Sequence, residues 1–511
     1  MSLGVLISRV LGLVREQSFA YLFGSGMASD AFIIAFRIPN LFRDLLAEGA
    51  LSNAFVSVFA KVKSKEEQKQ LYSKTIICAL ISFAFVGVLL FYFTPEIVTL
   101  LASKFKTISG KFELTVDLTR ILIFFLLFTS LAAITSGALN SRGKFFITAL
   151  GPASFNVICI LGVILLLLFS FENPLTNIYF YTTAALFGGA MQLFVQLPAL
   201  FKQDIQLFKP ITKKQTYNKF FNKNLKKIFF LMIPAVIAQS AVHTNILINT
   251  YFAANLEQGS VTWLNYAYRL IHFPLGIFGV ALSTASLPIL AKLYSNNEIK
   301  KFNLTLNESI SSAIILLIGS SLGLYAFGDL ISALIYQRGN YTYLDTVMTF
   351  QAIQMYAIGL FSFASTKILV NCFFAFGKVW VPTLVSFFTV VINYFSASYF
   401  SQKLGHEGLA LSGALTSSAQ FLILATILHV KGNSVFTFSN LKALAASFAS
   451  GAVFILVIKF SNIKDRLFVI HDKNQFLFFA ILIIFIIFLT LIYGLLILLF
   501  LPNIRRKIFK K

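Results

Sequence analysis

Apolar runs of about 20 residues, the length an α-helix needs to cross the hydrocarbon core of a bilayer, recur along nearly the whole chain. Backbone inside hydrocarbon must satisfy its own hydrogen bonds, so runs of this kind fold as helices. They lie at approximately 3–23, 30–60, 73–102, 117–140, 145–171, 177–201, 225–253, 260–292, 307–336, 343–375, 379–401, 406–430, 441–461 and 475–501, separated by short polar or Gly/Pro-containing links. The expectation is an all-α integral membrane protein with fourteen transmembrane helices. Composition agrees: of 511 residues, 58% are hydrophobic and 12% charged, and the mean hydropathy is +0.82. That excludes a secreted enzyme, a disordered chain and a DNA-binding protein. Cys78, Cys159 and Cys372 each sit in an apolar run, with neither disulfide nor metal spacing. Arg9 and Arg15 interrupt the first run, so no cleavable signal peptide is read and Met1 is expected to be the mature start.

The net charge of +23 finds its explanation in the loops. An even number of crossings puts both termini on one side. The loops and tail of that side carry 26 Lys/Arg and the other side nine: Lys104, Lys106, Lys111, Arg338, Lys403, Lys459, Lys464, Arg466 and Lys473. The positive-inside rule then places both termini in the cytoplasm. Basic residues dispersed over many short loops do not make a nucleic-acid surface.

An internal repeat is legible. Ala35-Phe36-Arg37 resembles Ala267-Tyr268-Arg269 at an offset of 232, and Ala50-Leu51-Ser52 with Ala54 matches Ala281-Leu282-Ser283 with Ala285 at 231. Ala60-Lys61 and Ala291-Lys292 share the second offset, as do Ser64 and Ser295. The second and eighth segments therefore correspond with one residue of slippage, which implies two parallel six-helix repeats plus two C-terminal helices, a plan typical of alternating-access transporters. The expected division is an N-terminal six-helix lobe at 1–205, a basic cytoplasmic linker at 206–224, a second six-helix lobe at 225–432, and helices 13 and 14 with a basic cytoplasmic tail at 433–511.

Seven basic residues fall inside the runs: Arg9, Arg15, Arg37, Arg43, Arg120, Arg269 and Lys367. An arginine at membrane depth costs ~2.5 kcal/mol or more, so each marks function unless it pairs or reaches the interface. Arg120 is near a segment end and reads as snorkelling. Spacings of seven put Asp30, Arg37 and Asp44 near one helical face, with Glu48 four residues further, a stripe that reads as self-neutralising although Pro39 distorts the register. Arg43 points about 100° from Asp44 and has no same-face acid, which makes it the better candidate to meet an external anion. Arg9 and Arg15, about 9 Å apart in rise and ~120° in azimuth, suit a broad cavity. Glu16 follows Arg15 at once and is placed either to orient another arginine or to lie near the outer interface. Arg269 stands before His272-Phe273-Pro274-Leu275-Gly276, where the eighth helix is expected to break, an interruption tolerated only beside a cavity or inside protein. His272 reads as a satisfied hydrogen bonder. Several arginines with few acids make an anion site, since the guanidinium fork suits phosphate or carboxylate.

The run Ser8-Arg9-Val10-Leu11-Gly12-Leu13-Val14-Arg15, then Phe23-Gly24-Ser25-Gly26, Asp30-Ala31-Phe32, Phe36-Arg37-Ile38-Pro39-Asn40-Leu41 and Ala47-Glu48-Gly49-Ala50, closely resembles the MurJ (MviN) family, lipid II flippases of the multidrug/oligosaccharidyl-lipid/polysaccharide exporter superfamily. The likeness covers the whole chain and includes Tyr266-Ala267-Tyr268-Arg269. It implies that Arg9, Arg15, Arg43 and Arg269 are substrate-binding cavity arginines and that Asp30 is a family acid; Glu16, Arg37, Glu48 and Pro274 take supporting or coupling roles. Glu16 stands where Asp is usual, His272 where an acid is common and Ser57 where Pro is common, and fewer residues than usual precede the Ser-Arg motif. Some members are described as holding sodium between helices 7, 11 and 12. Those segments show no acidic cluster here, so neither metal nor cofactor is expected.

What the resemblance implies is a flippase, not an enzyme. It would move lipid II, the undecaprenyl-pyrophosphate-linked peptidoglycan precursor, from the cytoplasmic to the outer leaflet of the bacterial inner membrane by alternating access. The pyrophosphate would meet the arginines and the prenyl tail a groove of helices 13 and 14. With no P-loop, the drive is membrane potential or an ion gradient. Expected partners are lipid II, membrane lipids and the peptidoglycan-synthesis machinery. The nearest alternative is an exporter of another polyprenyl-linked glycan or a drug, although a drug exporter more commonly wants cavity acids. A polyprenyl-phosphate glycosyltransferase or polymerase needs a large loop or a pair of placed acids, and neither is visible.

Overall fold

The computed structural model describes residues 2–169, 173–206, 223–433, 435–461, 467–471 and 474–501. Most of the expected basic linker, the basic tail from Arg505, and Lys464, Arg466 and Lys473 of the loop count lie outside the described residues.

Ten helices among the described residues are long and apolar enough to cross a membrane. Trp380–Val430 contains two of the expected spans, because Gly405 (φ 58°, ψ −133°) breaks it in a conformation that only glycine adopts readily. Ser2–Phe23, the helix over 27–59 and Phe438–Ser461 complete the fourteen. Numbered in chain order they are α1 Ser2–Phe23, α2 27–59, α3 Lys65–Tyr92, α4 Lys111–Ser141, α5 Phe145–Phe169, α6 Leu175–Phe201, α7 Lys223–Ala254, α8 Ser260–Ser295, α9 Ile299–Tyr336, α10 Tyr343–Ala375, α11 380–404, α12 406–430, α13 Phe438–Ser461 and α14 Gln475–Phe500. Lipid-facing stripes are plain. Ile81, Phe85 and Val88, at helical spacing on α3, are 64%, 63% and 68% exposed.

Packing divides the chain into two compact units, Met1–Val261 and Thr262–Lys511. The sequence repeat places α7 in the second lobe, whereas its side chains pack with the first unit. Arg37 of α2 donates to Thr250 Oγ1 at 2.5 Å, and Leu247 packs on Ile38, Val98, Leu101 and Val116. Repeat and packing therefore divide the chain at different places.

In the first unit one core joins α2, α3, α4, the end of α6 and the start of α7, around Phe55, Phe59, Tyr72, Ile134 and Leu225. Membrane-depth hydroxyls are satisfied locally: Thr115, Thr129 and Thr135 each bond the carbonyl four residues back, and Tyr72 pairs with Thr135 at 2.8 Å. In the second unit α14 lies along α9, where Phe478, Leu482 and Leu489 meet Phe327 and Leu330 and Tyr493 donates to the Ile315 carbonyl at 2.7 Å. The start of α13 is tied to α9 through Asn440 and Asn307 at 2.9 Å.

Candidate anion-binding site

The predicted site residues lie on α1 and α2 in the first sequence repeat and on α8 in the second, and α2 and α8 each contain a π-helical stretch: Arg43–Leu51 in α2 and Leu275–Gly279 in α8. Each follows a proline, Pro39 or Pro274. Proline offers no N–H and leaves the carbonyl four residues earlier without its helical donor; the π stretches lie beyond it, where the bonds run i→i+5. The bonds Ser52 N–H to Ala47 O and Val280 N–H to Leu275 O have that spacing. The expected break at 272–276 is thus a continuous π turn. The one-residue slip of the repeat falls between positions 37 and 50, where the α2 stretch has nine residues against five in α8. π segments concentrate at functional sites.

The π geometry overturns the pairing read from helical spacing. Residues five apart stack in a π turn, so Glu48 Oε1 comes to 3.4 Å from Arg43 Nε, and Asp44 Oδ1 accepts from Arg43 Nε at 2.9 Å and from Nη2 at 2.7 Å. Arg43, expected to lack an acid, has two. Where an Asp30–Arg37–Asp44 stripe was expected, Arg37 donates to Thr250, Asp30 accepts from Lys111 and Asp44 accepts from Arg43.

Arg15 and Arg43 are brought together. The Arg15 guanidinium lies over the Phe155 ring at 5.1 Å and that of Arg43 over Phe125 at 5.8 Å. The two rings meet edge-on at 5.7 Å, with Phe36 closing the group. Two cations on one aromatic pair are fixed within electrostatic range of each other. Glu16 pairs with its neighbour Arg15 itself, where another arginine was the expected partner. Side-chain exposures of 12% for Arg15 and 21% for Arg43 leave both partly open. Arg9 is exposed further along α1, beside the bond from Asn156 to the Ser8 carbonyl. Sequence reasoning missed the Phe125–Phe155 platform, because among 59 phenylalanines nothing distinguishes these two.

Asp30 lies at the start of α2, where its Oδ2 accepts from Lys111 Nζ at 2.9 Å and from the Gly259 N–H at 2.8 Å. Both side chains are 1% exposed. Lys111 opens α4 after Gly110, whose φ of 75° turns the chain, and its ammonium also faces the Phe105 ring at 4.1 Å. A carboxylate near two helix N-termini is favoured by their dipoles, while a lysine at an N-terminus needs an acid. Lys111, counted from sequence as a loop charge, is therefore part of a buried pin. The second unit has a counterpart with other chemistry: Trp263 Nε1 donates to Asp345 Oδ1 at 2.9 Å, joining the starts of α8 and α10 as Asp30 and Lys111 join α2 and α4.

Arg269 is exposed on α8, and Pro274 is buried just before the π turn. His272 Nδ1 stands 3.0 Å from the Tyr268 carbonyl, the local hydrogen bond expected. Across α11 and α12, Asn393 Oδ1 accepts from Ser412 at 3.1 Å and Thr416 at 3.3 Å. Among the described residues no group of three or more His, Cys, Asp or Glu is placed to hold a metal. Outside the membrane, Arg142 donates to the Gln203 carbonyl at 2.6 Å and to Gln68 at 2.9 Å; partial burial lowers its guanidinium from the ordinary value, against the raising pull of Asp204.

A family model described as lipid II flippase MurJ matches residues 19–471. A probable lipid II flippase MurJ of Buchnera aphidicola subsp. Schizaphis graminum is 33% identical over 444 residues, 84% of this chain and 83% of that one. The lipid II flippase MurJ of Burkholderia cenocepacia is 32% identical over 433 residues, covering 84% and 82%. Among solved structures, a lipid II flippase MurJ in an inward closed conformation aligns with a TM-score of 0.79 and 25% identity over 99% of both chains. An inward-facing multidrug resistance MATE family transporter of the MOP superfamily aligns at 0.67 with 14% identity, over 82% and 95%, and shares the fold.

Proposed function

This chain belongs to the lipid II flippase MurJ family, and we propose that it carries lipid II from the cytoplasmic to the outer leaflet by alternating access, without covalent chemistry. The observation that carries the reading is the arginine pair on the Phe125–Phe155 platform, with each guanidinium oriented by its own acid. An anion approaching Arg43 competes with Asp44 and Glu48 for its donors, so binding exchanges one carboxylate for a more highly charged pyrophosphate and leaves the acids to re-pair on departure. This suits a carrier, which must release what it binds.

In this reading Arg9, Arg15 and Arg43 of the first unit hold the pyrophosphate, Arg269 of the second unit is a further contact of lipid II during the cycle, and the prenyl tail stays in lipid beside α13 and α14. The termini are cytoplasmic, as the excess of loop cations supports. Membrane potential or an ion gradient drives the cycle. The test is complementation of cells depleted of their own MurJ flippase. Growth with intact walls is expected, and lysis despite membrane-level expression would point to another polyprenyl-linked glycan.

A further inference from the structure

Lys367 of α10 is an intramembrane cation that the site above does not use. Its side chain is exposed, and no carboxylate or hydrogen-bond partner among the described residues stands against its ammonium. Two contacts fix the direction it faces. One turn earlier, Ala364 packs on the π turn of α8 so closely that a Cβ on Gly279 would lie 2.7 Å from Ala364 Cβ. One turn later, Asn371 Nδ2 donates to the Ser283 carbonyl at 2.7 Å and its Oγ at 2.8 Å. Positions 364, 367 and 371 share one face of a helix, so Lys367 belongs to the face of α10 that packs on α8. The charges that reach His272 of α8 are those of Lys367 and Arg269, with no acid among them. Arg269, His272 and Lys367 thus form a file along α8 and α10, and an unpaired ammonium at this depth is costly unless something anionic visits it.

We propose that Lys367 is a further substrate-binding residue, which contacts an anionic oxygen of the transported lipid deeper along the file than Arg269. The proposal rests on the function proposed above. Its ligand chemistry is phosphate or carboxylate, and lipid II offers both, in its pyrophosphate and its peptide stem.

The test measures affinity of the full chain in nanodiscs for lipid II and, separately, for undecaprenyl pyrophosphate. Lys367→Gln should weaken lipid II binding about tenfold, the scale of one charge-assisted contact, with Lys367→Arg within about twofold of the parent. An equal loss for undecaprenyl pyrophosphate places the contact on the pyrophosphate, and a loss for lipid II alone places it on the stem carboxylates. In a second measurement, a charged thiol reagent should label Lys367→Cys, and added lipid II should slow that labelling. Unchanged affinity in Lys367→Gln, or labelling indifferent to lipid II, overturns the proposal. If Arg269→Gln still weakens binding in that case, the proposed function stands; a parent protein that binds no lipid II overturns the function itself.

Discussion

The buried Asp30–Lys111 pair makes the sharpest demand on the energetics of this fold. Lys111→Met leaves the Asp30 carboxylate with the Gly259 N–H as its hydrogen-bond donor of the pair described, and Asp30→Asn leaves the Lys111 ammonium against the Phe105 ring at 4.1 Å. With both side chains 1% exposed, water does not reach the charge that remains. Removing one partner of such a pair costs about 3–5 kcal/mol, while replacing both together is close to neutral, because the desolvation penalty disappears with the charges. Each single variant should therefore unfold well below the parent in detergent, and the double variant Asp30→Asn/Lys111→Met should recover most of the loss. The coupling energy across the double-mutant cycle should exceed about 2 kcal/mol. Thermal unfolding monitored by size-exclusion fluorescence reads all four proteins under one condition. Single variants within about 0.5 kcal/mol of the parent, or a double variant whose loss equals the sum of the singles, would refute the argument that this pin is desolvated and mutually dependent.

The other expectations follow from particular geometries. Gly49→Ala puts a Cβ 2.7 Å from the Asp44 carbonyl and against Gln239, so the π turn must shift; a cost of about 1–3 kcal/mol and a marked loss of transport are expected, read by unfolding and complementation. Arg37→Lys should keep most activity, since the bond Arg37 makes to Thr250 is to an uncharged hydroxyl that an ammonium can also reach, whereas Arg43→Lys loses the two-point grip on Asp44 and should lose about tenfold or more at equal membrane abundance. Gly405→Ala has open space around it but must hold φ 58° and ψ −133°, so it should destabilise the protein by about 1–3 kcal/mol through backbone strain alone, measured as a fall in Tm.

The fold was legible because hydrocarbon leaves the backbone few options. Every expected span has a helix, and even the boundary between the eleventh and twelfth segments, read at 401–406, falls at Gly405. The site was legible in its residue types and less so in its pairings. Arg43 was assigned no acid because a 3.6-residue period puts Glu48 on another face, and a π turn abolishes that period locally. The one-residue slip of the repeat between Arg37 and Ala50 was the trace of that turn in the sequence. Lys111 was hidden for a different reason. A lysine at the end of an apolar run reads as solvent-exposed, and only the fold shows that Asp30, 81 positions earlier, receives it. Arg37 illustrates the same limit, since its partner Thr250 is 213 residues away and carries no charge that a spacing rule can detect.

The central claim is that the paired Arg15 and Arg43 receive the pyrophosphate of lipid II and that the chain then moves it across the membrane. The direct measurement is leaflet exchange of fluorescent lipid II in proteoliposomes with an imposed membrane potential, read by an impermeant quencher, for the parent and for Arg15→Gln/Arg43→Gln. The account predicts potential-dependent exchange by the parent, reduced by about two orders of magnitude in the double variant, as expected for the loss of two charge-assisted contacts. Exchange that is undiminished in the double variant, or absent from the parent while another polyprenyl-linked glycan crosses, would contradict it.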